Sequence, residues 1–171
     1  MKTKHVIVLP YNKKWKHDFA IIKNELETVI GELVVSIEHI GSTSVEGLSA
    51  KPIIDIDVVI KDYSVFDDVV AGLAEIGYVH EGNLGIRDRE AFAYSGKGHL
   101  REHHLYVCPE NSEELCRHIT FRDFLRKNPN AVEQYSKVKE EAASLFPEDI
   151  NKYMEYKSSC IEELYKRCGL A

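Results

Sequence analysis

The chain has 171 residues, 44% hydrophobic and 29% charged, with 22 Lys and Arg against 28 Asp and Glu for a net charge of −6. This profile fits one globular domain able to bury its own core, and it excludes collagen-like, low-complexity and disordered classes. It also argues against a duplex nucleic-acid partner, whose capture depends on neutralising many phosphates, but leaves room for a small anion held by a few local cations.

In chain order, Trp15, Phe19, Ile22, Leu26 and Val29 recur at steps of three and four, which predicts an amphipathic helix opened by Asn12 and stopped by Gly31. A β-branched stretch, Leu33 to Ile40, predicts a strand closed by Gly41, and Pro52 to Ile60 predicts a second. Ser64, with Asp67 as its capping partner, opens a helix striped by Phe66, Val69, Val70, Leu73 and Ile76 and ended by Gly77. Three short strands follow, at Tyr78 to Glu81, Glu90 to Tyr94 and His103 to Val107, separated by glycine-containing turns. Beyond Pro109 the pattern is helical. Asn111 or Ser112 caps a helix to about Lys127, Pro129 opens another that Pro147 ends, and Glu148 to Cys168 form the last, stopped by Gly169. The expected architecture is mixed α and β: a single domain, 1–171, with a sheet-containing core over 1–109 and a helical part over 110–171 packed on it. No apolar run reaches the ~18–20 residues of a membrane span, and Met1 to Pro10 lacks the apolar stretch of an export signal. The expectation is a cytoplasmic protein without a membrane partner. Its cysteines, Cys108, Cys116, Cys160 and Cys168, form no C-x-x-C pair and are expected to be reduced, mostly buried thiols.

The chemistry concentrates in two stretches. Along Ile53 to Ile60 side chains alternate, so Ile54, Ile56, Val58 and Ile60 share a packed face and Asp55 and Asp57 share the other with Ile53 and Val59. The two carboxylates stand ~7 Å apart along the strand, close enough to share a divalent cation. Alone, such a pair also suits two solvent-facing aspartates. Upstream, Gly41 permits close backbone approach to a ligand, and Ser42, Thr43 and Ser44 offer hydroxyls and amides to a phosphate. Twelve residues separate Ser42 from Asp55.

A Gly-Ser turn, about a dozen residues and then Asp-x-Asp on a strand resembles the polymerase-β-type nucleotidyltransferase superfamily. More closely, Ile37-Glu-His-Ile-Gly-Ser-Thr-Ser-Val-Glu-Gly-Leu-Ser-Ala-Lys-Pro-Ile-Ile-Asp-Ile-Asp57 resembles the GrpB family. Pro10-Tyr-Asn-Lys-Lys-Trp15, His103-His-Leu-Tyr-Val107 and His118-Ile-Thr-Phe-Arg-Asp-Phe-Leu-Arg126 extend the resemblance over nearly the whole chain. It implies a nucleotidyltransferase-like mixed sheet with helices. Active members of the superfamily add a third carboxylate from a neighbouring strand. Here that strand places Glu102, His104 and Tyr106 on one face and His103, Leu105 and Val107 on the other. The third place therefore falls to His104, with Glu102 or Glu90 as acidic substitutes. A histidine there shifts metal preference from Mg²⁺ toward Mn²⁺ or a heavier ion.

Cations interrupt the apolar stripes of the last two helices. Lys139 follows Tyr135 by four residues, and Lys157 follows Tyr153 by four. An ammonium in such a stripe needs an anion (Asp55 or Asp57, another acid, or a bound phosphate) unless it snorkels to the edge. His118, Arg122 and Arg126 form a row at steps of four. It reads either as a phosphate clamp or as a solvated face with Arg122 paired to Asp123 or a nearby Glu. A zinc site among His99, His103, His104, Cys116 and His118 is disfavoured, since His103 and His104 point to opposite faces and no ligand spacing recurs.

Two functions fit. One is a metal-dependent nucleotidyltransferase acting on an unknown small acceptor. Asp55 and Asp57 hold Mg²⁺ or Mn²⁺, with His104 as third catalytic residue, and Gly41, Ser42, Thr43, Lys51, Arg122, Arg126, Lys139 and Lys157 hold phosphates. The other is a non-catalytic module that binds a nucleotide or a coenzyme A-like anion on a degenerate fold. A third carboxylate beside the aspartates favours the enzyme; a histidine there, with no metal, favours the module.

Overall fold

The computed structural model describes residues 5–170. Its elements are α1 (Lys14–Ile30), β1 (Ser36–Ile40), β2 (Ile54–Ile60), α2 (Phe66–Glu75), β3 (Tyr78–Gly82), β4 (Glu90–Tyr94), β5 (His103–Pro109), α3 (Glu113–Lys127), α4 (Pro129–Leu145) and α5 (Ile150–Arg167). The strands form one mixed sheet in the order β1-β2-β5-β4-β3. Only β2 and β5 run parallel; the other neighbours are antiparallel. Among the described residues, five α-helices and a five-stranded mixed sheet give the mixed α/β architecture that the sequence implies.

Period-two alternation in β2 sets the core. Ile54, Ile56, Val58 and Ile60 are fully buried against Trp15, Ile22, Leu26 and Ile30 of α1 and Val69 and Leu73 of α2. Fully burying one such side chain contributes about 1.5–3 kcal/mol, which fixes the strand's register. The opposite face is covered by α3, which packs on β1 and β5. There Val59 meets Leu115 and Cys108. Helices α4 and α5 seat on the segment between β1 and β2, where Val45 and Leu48 enter a second core with Leu125, Val132, Tyr135 and Leu164. The helical part thus docks partly on the sheet and largely on the loop that carries the Gly-Ser turn.

Several boundaries differ from the sequence reading for local reasons. The first strand begins at Ser36, because Leu33 closes a turn onto the carbonyl of Ile30. The second begins at Ile54, because Pro52 has no N–H and Ile53 bonds back to the carbonyl of Lys51. The cap near α2 is Asp62, which accepts from the amide of Ser64, and Ser64 lies in a 3₁₀ turn ahead of the helix. The starts of α3 and α5 are capped by Ser112 and Asp149. All four cysteines are free, Cys108 and Cys160 buried, Cys168 half-buried and Cys116 exposed. Among the described residues no helix is long and apolar enough to cross a membrane.

Candidate functional site

Register decides what faces the aspartates. Asp55 lies opposite Ile40 of β1 and His104 of β5, and Asp57 opposite Glu38 and Tyr106. Directly opposed residues point the same way, so these six side chains share the α3 face of the sheet. Asp55 remains partly open, with a side chain 31% exposed. Its Oδ1 accepts from Nδ1 of His104 at 2.9 Å. That hydrogen bond, against partial burial, raises the imidazole's pKa. Asp57 is wholly buried beneath α3. Its Oδ2 accepts from Nδ1 of His118 at 2.6 Å, and Nε2 of His118 meets Glu114 at 3.1 Å. Burial pulls His118 down, but the hydrogen bond and charge of Asp57, with Glu114 beyond, outweigh it and raise the imidazole. Burial also pushes Asp57 up, and His118 reverses part of that. The wholly buried Asp57 and the half-buried His118 thus form a short hydrogen-bonded ion pair. The other oxygen of Asp57, Oδ1, is buried and has no hydrogen-bond partner.

The third place beside the aspartates is held by His104 and Tyr106. Glu90 does not reach it. It pairs with Val107, hence faces the α1–α2 side, and it binds His80 at 2.9 Å. Glu102 is exposed just ahead of β5 and adds negative charge near His104.

The Gly-Ser turn touches Asp55 directly. Gly41 has φ +73° and ψ −174°, a region open essentially to glycine alone. A Cβ there would fall 2.4 Å from Asp55 Oδ2. Ser42 follows in a 3₁₀ turn and receives the ammonium of Lys139. Thr43 serves a structural purpose: its buried hydroxyl bonds to Nε2 of His39 at 2.9 Å, and that imidazole stacks on Phe19. Burial first, and then Arg126, lowers the His39 pKa to about 4, so the ring is neutral.

Lys139 is 3% exposed, donates also to the carbonyl of Ser49 at 3.2 Å, and stands 4.5 Å from the Tyr135 ring centroid. Lys157 and Lys51 both approach the ring of Tyr153, at 4.7 and 4.9 Å. Together with Ser42, Asp55 and His104 these lysines line a cavity of about 260 Å³. Among the described residues no carboxylate forms an ion pair with Lys139 or Lys157. Burial, and then the neighbouring ammonium groups, hold Lys139 well below the usual lysine range and bring Lys157 to about 8; Asp55 opposes both shifts.

The arginines divide. Arg122 donates to Glu38 at 3.2 Å, to the carbonyl of His39 at 3.1 Å and to Asp123 at 3.0 Å. It still lines a second cavity, about 270 Å³, that meets the lysine cavity at Ser42 and Asp55. Arg126 leaves the group, since both its Nε and Nη2 donate to the carbonyl of Ser44. A helix advances ~6 Å in four residues, so the row that puts His118 over Asp57 carries Arg126 past the edge of the aspartates. Sequence reasoning missed His118 as a partner of Asp57. The available signal was Glu114 four residues before it, an acid–imidazole pair on one helix face.

Among the described residues no three His, Cys, Asp or Glu groups gather as a metal-ligand set. Asp55 and Asp57 each already give one oxygen to an imidazole, which leaves two carboxylate oxygens. Mg²⁺ is commonly held by one or two carboxylates with substrate phosphates and water completing the shell. These residues, with the orphaned Asp57 oxygen, fit a divalent cation only as part of a metal–phosphate complex.

The sequence pattern of the GrpB family, described as GrpB protein, matches residues 5–167. The chain is 33% identical over 157 residues to UPF0157 protein YqkA of Bacillus subtilis, which covers 92% of this chain and 45% of that protein. It is 35% identical over 164 residues to Glutamate-rich protein GrpB of Alkalihalophilus pseudofirmus, covering 93% of each. The chain thus spans under half of the first relative and nearly all of the second. A crystal structure of GrpB from Enterococcus faecalis superposes with a TM-score of 0.82 at 33% identity, over 95% of this chain and 96% of that one. The Cid1 poly(U) polymerase bound to MgGTP superposes with a TM-score of 0.56 at 11% identity, over 80% of this chain and 44% of that one, a likeness of fold alone.

Proposed function

The chain belongs to the GrpB family, and we propose that it binds a nucleotide or a coenzyme A-like phosphorylated ligand as a non-catalytic module. The carrying observation is the lysine cavity. Lys139 and Lys157 converge beside the Gly-Ser turn with no carboxylate in ion-pair contact, and their pKa values are depressed. A phosphate dianion there relieves the repulsion among the ammonium groups and accepts hydrogen bonds from them and from the Ser42 hydroxyl. The glycine at position 41 lets the turn approach the ligand with no side chain in the way. Asp55 at the cavity floor orients the ligand's polar end through His104, a donor when protonated. Nucleotidyltransferase-like fold supports a nucleotide as the ligand class, though a fold does not fix an activity.

Binding without transfer is favoured by the third place, where His104 and Tyr106 stand and a carboxylate would be needed. The orphaned Asp57 oxygen supports a second reading, metal-dependent nucleotidyl transfer. In it Asp55 and Asp57 would hold Mg²⁺ or Mn²⁺, which supplies Lewis-acid stabilisation of phosphate charge. The residues of this chain would do the rest: Lys139, Lys157 and Ser42 neutralise and orient phosphates, and His104 and His118 keep the aspartates in place.

Calorimetric titration with ATP and with coenzyme A, each with and without Mg²⁺ or Mn²⁺, tests both. The module predicts binding that survives without metal and in Asp55→Asn, and that weakens about tenfold or more in Lys157→Gln, as loss of a charged hydrogen bond gives. The transferase reading predicts affinity that requires metal and Asp55, and radiolabel moved to an acceptor. No binding of either ligand under any of these conditions refutes the proposal.

A further inference from the structure

The second cavity is unlike the first. Its cations are arginines (Arg89, Arg117 and Arg122) and its walls are rings, chiefly Tyr106, Phe121, Tyr135 and Tyr165. Phe121 meets Tyr165 edge to face at 4.8 Å and Tyr135 at 6.0 Å, so the walls are mutually braced. Arg89 sets its guanidinium 4.3 Å from the Tyr106 ring centroid, and among the described residues no carboxylate forms an ion pair with it. Its Nε is buried and has no hydrogen-bond partner. Arg117 differs: its Nε is also buried without a hydrogen bond, but it forms an ion pair at 3.7 Å with Glu114, an acid shared with His118, and its side chain is 43% exposed. Arg122, by contrast, is already paired with Glu38, Asp123 and a carbonyl.

A buried Arg89 Nε–H with neither acceptor nor ion pair among the described residues, beside a second guanidinium held only by a shared carboxylate, is costly unless something accepts from it. A neutral nucleobase would fill the walls but leave Arg89 without a charge partner. A bare inorganic anion would satisfy Arg89 but make no use of the ring walls. An aromatic ring bearing a carboxylate or phosphate does both, since arginine's planar fork matches either group in two-point contact and rings pack edge to face. We infer that this cavity is a second ligand subsite, separate from the lysine cavity, that takes a small planar anion with Arg89 and Arg117 as its anchors. Meeting the first cavity at Ser42 and Asp55, it would set such a molecule beside the end of a phosphorylated ligand. The inference stands on the arginine cavity alone and survives if the lysine cavity binds nothing.

Ligand-observed NMR and calorimetry on the 171-residue protein, with benzoate, phenyl phosphate and inorganic phosphate as probes, test it. At least one ring-bearing anion is expected to bind, and more tightly than inorganic phosphate; which of the two binds identifies carboxylate or phosphate as the recognised group. Arg89→Gln and Arg117→Gln are each expected to weaken that probe about tenfold or more. Phe121→Ala should weaken it while leaving inorganic phosphate unaffected, and Lys157→Gln should leave it within about twofold. Should Arg89→Gln unfold, Arg89→Lys keeps the charge and the stem over Tyr106 but removes the fork, and the same loss is expected. The subsite is refuted if neither ring anion binds, if a folded Arg89 variant binds as well as the wild type, or if Lys157→Gln costs the probe as much as Arg89→Gln does. Failure of ATP and coenzyme A to bind, with the ring anion still held by Arg89, would overturn the lysine-cavity reading and leave this one standing.

Discussion

Replacing Gly41 by alanine perturbs the one point where the turn and the aspartate strand touch. The backbone there, at φ +73° and ψ −174°, costs a residue with a Cβ about 1–3 kcal/mol. The added methyl would also lie 2.4 Å from Asp55 Oδ2 and 3.1 Å from both Cβ and Cγ of Asp55. The carboxylate tip can swing away only by loosening its 2.9 Å bond to His104, and the partly open pair is worth no more than about 1 kcal/mol. The two carbons cannot swing, so β1 and β2 must part by a few tenths of an ångström. The summed loss is about 2–4 kcal/mol, or a fall in Tm of roughly 5–15 °C for a chain this long. Urea denaturation followed by circular dichroism measures it. Gly98→Ala is the control, since its Cβ would meet nothing within 4 Å and its φ lies outside the left-handed region. Adding Asp55→Ala removes the oxygen and Cγ from the clash, so the double variant should be more stable than the sum of the two losses by about 1 kcal/mol. If Gly41→Ala lies within about 0.5 kcal/mol of the wild type, the tight contact between turn and aspartate does not exist and the geometry built on it fails.

His118→Ala should cost about 3–5 kcal/mol by urea denaturation, because it leaves Asp57 buried without the one hydrogen bond its carboxylate makes among the described residues; His118→Gln, which keeps a donor, should recover part of it. The pH dependence has two arms. His104 and His118 have folded pKa values above their unfolded value near 6.5, so their contribution is complete below pH 6.5 and is lost as pH rises through the raised values. Lys157 has a folded value of about 8 against 10.5 unfolded; its penalty is full below pH 8 and fades as pH climbs from 8 toward 10.5. Lys157→Met should therefore be more stable than the wild type at pH 7, and the gap should narrow by pH 10 when urea midpoints are compared. The same group predicts that phosphate-ligand binding at pH 8 takes up about half a proton, visible as a buffer-dependent calorimetric enthalpy; an enthalpy identical in phosphate-free buffers of different ionisation heat would contradict a protonating Lys157.

The local order of this protein is written in its sequence. Alternation in Ile53 to Ile60 puts Asp55 and Asp57 on one face, and four-residue spacing puts Lys139 and Lys157 inside apolar stripes. The motif from Ile37 to Asp57 carries the family and with it the fold. Each of these depends only on neighbours along the chain, where side-chain direction follows from a fixed period. The partners depend on sheet order and helix seating, which no period encodes. His118 reaches Asp57 across 61 residues and Lys139 reaches Ser42 across 97. Glu90 is lost to the site because β4 joins β5 in a register that turns it to the far face. Arg126 is lost because α3 has advanced beyond the aspartates and a free carbonyl of Ser44 lies within its reach. The arginine cavity was invisible in the sequence for the same reason. Arg89 follows a loop, Tyr106 lies on a strand and Arg117 on a helix, and only the packing of α3 over the parallel pair β2–β5 brings their faces together.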